Sequence, residues 1–324
     1  MATIYTYKNL QDEVLSWLDE AGDTGTTLTN VKNALNRSHQ QRLMAAPWPF
    51  LLWPQAETFS TASGTRVYTL HSEFWRPEYL YNRNTSTYLV ETPTRNLPST
   101  GDRWPSDTGR TVNFRYGPTS PVAAQPSSAS VVTLVSSSAG DTTAAKALTI
   151  YGISSGAYTS ESLTPTGTTP VVGTTSFSTI LGITKGAAWT GTATLTANGG
   201  TVTLLTLLPA EYGRVYQTVE FLRTPTAVDV IEYRFYRQPR TLTADNDIPD
   251  IPNAHAQLLV WDTLLLFAGY NTDLSEKSIG VWVENQRQAK ESLEREWLEP
   301  RTLEGAPKYI RDIDHDDNVP RIFS

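Results

Sequence analysis

The chain has 324 residues, 39% of them apolar, a formal net charge of −7 and no cysteine. That length exceeds what one core comfortably serves, so more than one domain is expected. The absence of cysteine excludes disulfide staples, thiolate metal sites and cysteine nucleophiles, and the acidic balance argues against a sequence-independent nucleic-acid binder.

Tyr7 to Ala21 predicts an amphipathic helix, with Leu10, Val14, Trp17 and Leu18 recurring at three and four and Gly22 ending it. A second helix begins near Leu28, capped by Thr29 or Asn30. Val31, Leu35 and Leu43 lie on one face, and Asn33, Arg37, Gln40 and Gln41 face outward. Pro47 stops it, because proline lacks an N–H and disfavours helical angles at Ala46. A rigid apolar hook follows, Trp48, Pro49, Phe50, Leu51, Leu52, Trp53 and Pro54. Such a segment is expected to sit under other elements, the two C-terminal helices being the best candidates.

Glu57 to Leu70 alternates on both sides of Ser63-Gly64 and predicts a hairpin; Phe74 to Leu89 predicts a second pair of strands, and Thr111 to Tyr116 a short one. The composition changes at Gly117. Residues 118–208 are dominated by Ser, Thr, Gly, Ala and Val, in short β-branched runs separated by glycine. This predicts an antiparallel immunoglobulin-like sandwich, the alternative being a low-complexity linker. Val215 to Leu222 and Val228 to Arg237 then predict another hairpin, with Ile231, Tyr233 and Phe235 on one face.

A third helix from Asn253 is apolar nearly all round (Leu258, Leu259, Trp261, Leu264, Leu265, Leu266 and Phe267) and should be central. The densest apolar run, Ala254 to Gly269, is broken by Gln257 and Asp262, so no transmembrane span is expected, and the first residues have no secretory-signal pattern. A fourth helix runs from Asp273 or Ser275 to about Leu298, with a stripe of Ile279, Trp282, Val283, Gln286, Ala289, Leu293 and Trp297. The remainder has no periodicity. The expected fold is therefore α+β: a helical-bundle core with small β-hairpins (1–117 and 213–300), an inserted all-β immunoglobulin-like sandwich (118–212) and an extended tail (301–324).

Chemistry-bearing motifs are weak. Gly152-Ile-Ser-Ser-Gly156 spells a nucleophile elbow, but a glycine- and serine-rich stretch follows it instead of a helix, so a turn is expected. Asp312, Asp314, His315, Asp316 and Asp317 lack the glycine and glutamate of a calcium loop and read as a solvated acidic segment. His39 reads as a surface or interface residue, and no two histidines share metal-ligand spacing. The tryptophans at 17, 48, 53, 261, 282 and 297 read as core residues and not as a sugar platform. No catalytic residue, metal site or cofactor is expected, and the chain is expected not to be an enzyme.

One resemblance stands out by the order of its parts. Trp48-Pro49-Phe50, then Tyr236, Arg237, Pro239, Leu242, Thr243, Asp245, Asp247, Pro249, Ile251 and Pro252, then a helix from Asn253, resemble the head-to-tail adaptor (connector, or neck) proteins of tailed bacteriophages. The resemblance covers about Thr3 to Gly117 and Val215 to Leu298. It implies a virion structural protein, made in the host cytoplasm, that forms a homo-oligomeric and usually dodecameric ring at the phage neck. Such a ring lies below the portal protein, joins capsid to tail or neck proteins (nozzle or tail tube), and passes double-stranded DNA without specific contact or a membrane. It further implies that the C-terminal tail docks onto the portal, which maps that role to Tyr309, Ile310, Arg311, Ile313, Ile322 and Phe323, with Trp48, Pro49, Phe50 and Trp53 as the core hook. The alternative function is a virion-surface carbohydrate- or host-binding protein that uses the sandwich for recognition.

Overall fold

The computed structural model describes residues 4–20, 22–92, 108–109, 113–269 and 276–298. Helices α1 (Tyr7–Trp17) and α2 (Thr26–Leu43) come first. Strands β1 (Glu57–Ser60), β2 (Val67–Thr69), β3 (Phe74–Asn82), β4 (Thr87–Tyr88), β5 (Val90–Glu91), β6 (Thr108–Gly109) and β7 (Asn113–Tyr116) follow. Then come β8 (Ser130–Ser136), β9 (Leu148–Ser154), β10 (Ala157–Leu163), β11 (Val171–Phe177), β12 (Thr179–Lys185), β13 (Ala193–Ala197) and β14 (Val202–Leu207). Strands β15 (Thr218–Phe221), β16 (Thr224–Pro225) and β17 (Val230–Arg237) precede α3 (Gln257–Ala268) and α4 (Glu276–Trp297). Two compact units result, residues 1–41 with 241–324, and residues 42–240.

Among the described residues strands make up 34%, in five sheets, against 27% helix, and this overturns the expected fold class. The chain is not a helical-bundle core with small hairpins carrying an inserted immunoglobulin-like domain. The cause lies in long-range pairing. The two expected flanking hairpins do not form: β1 pairs with β17 and β2 with β15, so each half of the first pattern bonds a strand more than 140 residues away. Two four-stranded sheets result, in the orders β1-β17-β3-β4 and β2-β15-β7-β5. They share a largely aromatic core of Phe74, Phe114, Phe221, Tyr233 and Phe235 with Leu80, Val219 and Ile231.

The hook packs on these strands. Pro49–Leu51 is a single 3-10 turn, with proline at its start, where a missing N–H costs nothing. Trp48 is buried and donates from Nε1 to Arg42 O at 3.2 Å. Trp53 stacks on Phe235 at 5.5 Å and its backbone N–H donates to Phe235 O at 2.8 Å. The partner of Trp53 is thus β17, where the C-terminal helices had been expected.

Between β7 and β15, a three-stranded sheet (β10-β9-β12) and a four-stranded sheet (β11-β8-β13-β14) close over one apolar core. Inward residues alternate along the strands: Val132 and Leu134 on β8, Leu148 and Ile150 on β9, Ala193, Leu195 and Ala197 on β13. Each large apolar side chain withdrawn from water contributes about 1.5–3 kcal/mol. At Gly152 a Cβ would collide first with the backbone carbonyl oxygen of Thr179 on β12 and then with the ring of Phe177 at 2.7 Å, so the close approach of the strands requires glycine.

In the first unit α3 is the centre. Leu258, Leu259, Val260 and Leu264 are fully buried along it. Helix α1 runs parallel to α3, with Gln257 donating to Glu13 at 2.9 Å and Trp17 edge-on to Trp261 at 5.3 Å. Helix α4 runs antiparallel to it, joined by Gln286 to Asp262 at 2.9 Å and by His255 to Glu296 at 2.8 Å. The hydroxyls of Thr263 and Ser38 of α2 are hydrogen-bonded at 3.2 Å inside the packing, with Thr263 donating to Leu259 O at 2.7 Å. No helix among the described residues is long and apolar enough to cross a membrane.

Candidate functional site

Residues 241–253, the later part of the passage that carries the adaptor resemblance, make a dense set of directed contacts in the helical unit. A helix start leaves its first N–H groups without internal partners. In α1 the first two are satisfied from a distance: Tyr7 N–H donates to Asp247 O at 2.7 Å and Lys8 N–H to Asp245 O at 2.9 Å. The third, Asn9, is held by the Thr6 hydroxyl, and the Asn9 side chain returns the bond to Thr6 N–H, completing a capping box. Just upstream, Tyr5 N–H donates to Asn253 Oδ1 at 2.6 Å.

Helix α2 grips the same passage through Asn36. Its amide donates to Leu242 O at 2.9 Å and to the Tyr7 hydroxyl at 3.0 Å, and its carbonyl accepts from Leu242 N–H at 2.7 Å. The Tyr7 hydroxyl in turn donates to Lys32 O at 2.9 Å. Burial, with Asp245 and Asp247 nearby, pushes the Tyr7 phenol up to about 12, so it stays a neutral donor. Asp247 folds the passage on itself, accepting from Thr243 N–H at 2.6 Å and Ala244 N–H at 2.8 Å. His39, expected to be a surface or interface residue, is instead fully buried within the fold, and its Nε2 accepts from Asp250 N–H at 3.0 Å. His71 of the second unit completes a three-ring cluster with the stacked Trp53 and Phe235, at 4.7 and 5.4 Å from them.

A cleft of 330 Å³ opens between α2 and the end of α3, lined by Asn30, Asn33, Ala34, Arg37, Leu266 and Phe267. Leu266 and Phe267 are only half-buried there, while the side chains of α2 facing them are polar apart from Ala34. The cleft is of the size at which ligand pockets begin.

The remaining sequence candidates fall as follows. Gly152 to Gly156 is the end of β9 and a two-residue turn, with Ser154 opposite Ala157 and both Ser155 and Gly156 at positive φ. That is a hairpin turn, with a strand where an elbow needs a helix. Trp48, Trp261 and Trp282 are buried, whereas Trp17 is 46% exposed, contrary to a core reading for all six tryptophans. The proposed portal-docking residues Tyr309, Ile310, Arg311, Ile313, Ile322 and Phe323, and the acidic run from Asp312 to Asp317, lie outside the described residues. Among the described residues no group of three or more His, Asp or Glu is placed to hold a metal ion.

Sequence reasoning missed Asn36, because one asparagine on a polar helix face carries no local signal of a partner 206 residues away. It also missed Asp141. This carboxylate is fully buried and accepts from Ser136 Oγ (2.6 Å), Lys146 Nζ (2.7 Å), Thr190 N–H (2.8 Å) and Gly191 N–H (2.9 Å). Burial alone would raise its pKa, but Lys146, Ser136 and the two amides outweigh that and hold it well below the usual carboxylate range. With every acceptor position engaged, Asp141 ties loops of the sandwich and leaves no free atom for chemistry.

No protein-family model matches the chain, and a search of curated proteins finds no match.

Proposed function

We propose that the chain is a structural subunit of a tailed-phage neck, forming a ring below the portal that joins capsid to tail and surrounds the DNA channel. The observation that supports this reading most is that the passage carrying the resemblance also joins the helices. Leu242, Asp245, Asp247 and Asn253 supply the bonds that hold α1 and α2 at the start of α3. A motif kept for a local turn would not need to meet partners more than 200 residues away. Such a subunit would assemble as a closed ring, dodecameric in the adaptor case, because closed cyclic symmetry satisfies every repeated interface. The net charge of −7 suits a channel through which DNA slides without adhering.

Mass photometry of the full chain, alone and mixed with a portal protein from the same source, tests the reading. A portal particle that gains about twelve copies of this chain supports it. A monomer that ignores the portal while binding glycans would refute it and favour a surface-recognition protein.

A further inference from the structure

The α2–α3 cleft has a chemistry of its own. Its floor is Leu266, Phe267 and Ala34, and its rim is Asn30, Asn33 and the exposed Arg37. Arg37 makes no ion pair or hydrogen bond among the described residues. An unpaired guanidinium beside apolar surface fits an extended peptide that brings both apolar side chains and carboxylates.

The chain carries such a peptide. After α4, residues 309–317 read Tyr-Ile-Arg-Asp-Ile-Asp-His-Asp-Asp, with Ile310 and Ile313 among the aspartates 312, 314, 316 and 317. The reach is sufficient. Glu296 in the last turn of α4 is bound to His255 just before α3, so α4 ends near the start of α3. The cleft lies at the other end of α3, a helix of 12 residues, or about 18 Å at 1.5 Å per residue. The ten or so residues from 299 to 308 span up to roughly 33 Å when extended. Tethering at that distance raises the local concentration of the peptide toward the millimolar range, so weak contacts suffice.

We infer that the α2–α3 cleft receives the chain's own segment Tyr309–Asp314, with Ile310 and Ile313 against Leu266 and Phe267 and the flanking aspartates facing Arg37. Neither the cleft nor the charge match requires the chain to be a phage adaptor.

The lack of native cysteine makes the test clean. In the full chain, Ala34→Cys and Ile313→Cys are introduced together and oxidised mildly, since a disulfide forms only where the two backbones approach closely. The expected product is an intramolecular disulfide in the monomer, mapped by peptide mass spectrometry and formed faster than in a control pair of Ala34→Cys with Ser324→Cys. Arg37→Glu in the first background should slow the reaction about tenfold, the effect of losing one charge-assisted contact. Adding Asp312→Lys and Asp314→Lys to that variant should restore the rate. Helical circular dichroism equal to the parent's confirms that each variant is folded, as the exposure of Arg37 leads one to expect. Disulfide-linked dimers would place a second copy in the cleft and overturn the inference, as would a rate no faster than the control or indifferent to both charge reversals.

Discussion

The helical unit and the two-sheet sandwich are held in different ways. In the sandwich, ladders between neighbouring strands fix the register, and an apolar core of Val, Leu, Ile and Phe177 supplies the cohesion. In the helical unit the central helix α3 is apolar on most sides, and apolar attraction alone has no direction. Register there comes from a few polar groups that reach across the sequence: Asn36 to Leu242, His39 to Asp250, Asp247 O to Tyr7 and Asn253 to Tyr5. A sheet carries its specificity in a continuous backbone ladder, whereas these packed helices take it from a few isolated bonds, side-chain and backbone, to one distant passage.

Substitutions can break this contrast in order of size. The largest effect is expected where the sandwich departs from its own pattern and relies on a buried charge. Asp141→Ala leaves the Lys146 ammonium and the amides of Thr190 and Gly191 without their acceptor, which should cost about 3–5 kcal/mol in urea unfolding. The pH dependence has a definite sign. The Asp141 pKa is lowered by folding, so its contribution is full above the unfolded carboxylate value of about 3.9 and is lost as pH falls toward the folded value. The stability gap between wild type and Asp141→Ala should therefore be constant from neutral to mildly acidic pH and shrink below about pH 4. A gap that grew on acidification would contradict the pairing.

Asn36→Ala should come next. It removes both bonds to Leu242 and one to the Tyr7 hydroxyl, leaving groups of two buried residues unsatisfied, at about 2 kcal/mol by thermal or denaturant unfolding. Asp247→Ala acts on exposed backbone donors and should cost about 1 kcal/mol, as loss of a cap does. Arg287→Ala should leave the unfolding midpoint unchanged. Its bonds to Glu284 and Glu291 are short, but all three side chains are about half exposed and water screens them.

Local pattern was readable and distant pairing was not. Helix α2 ends at Leu43, ahead of Pro47, and α1 gives way to a left-handed Asp19 a few residues before the glycine chosen as its stop. Alternation in the serine- and threonine-rich stretch marked strands such as β9 and β13, because a sandwich strand shows its buried face in its own residues. The same alternation in Glu57 to Leu70 and Val215 to Arg237 located strands but assigned them the wrong partners. Periodicity shows which residues face inward and is silent about which strand lies alongside. His39 was misjudged for a related reason, since its partner Asp250 is 211 residues away. The cleft was invisible in the same sense: Asn33 and Arg37 were correctly read as outward on α2, but only the placement of Leu266 and Phe267 makes a cleft of them.

The most direct test of the central claim, that residues 241–253 fasten the N-terminal helices to the start of α3, is hydrogen exchange by mass spectrometry on the wild type and Asn36→Ala. Peptides covering 4–20 and 241–252 should lose protection together, since Tyr7 and Lys8 donate to carbonyls of Asp247 and Asp245. Loss of protection in 241–252 with 4–20 unchanged would show that the passage is a local turn and that the first helix is held by something else.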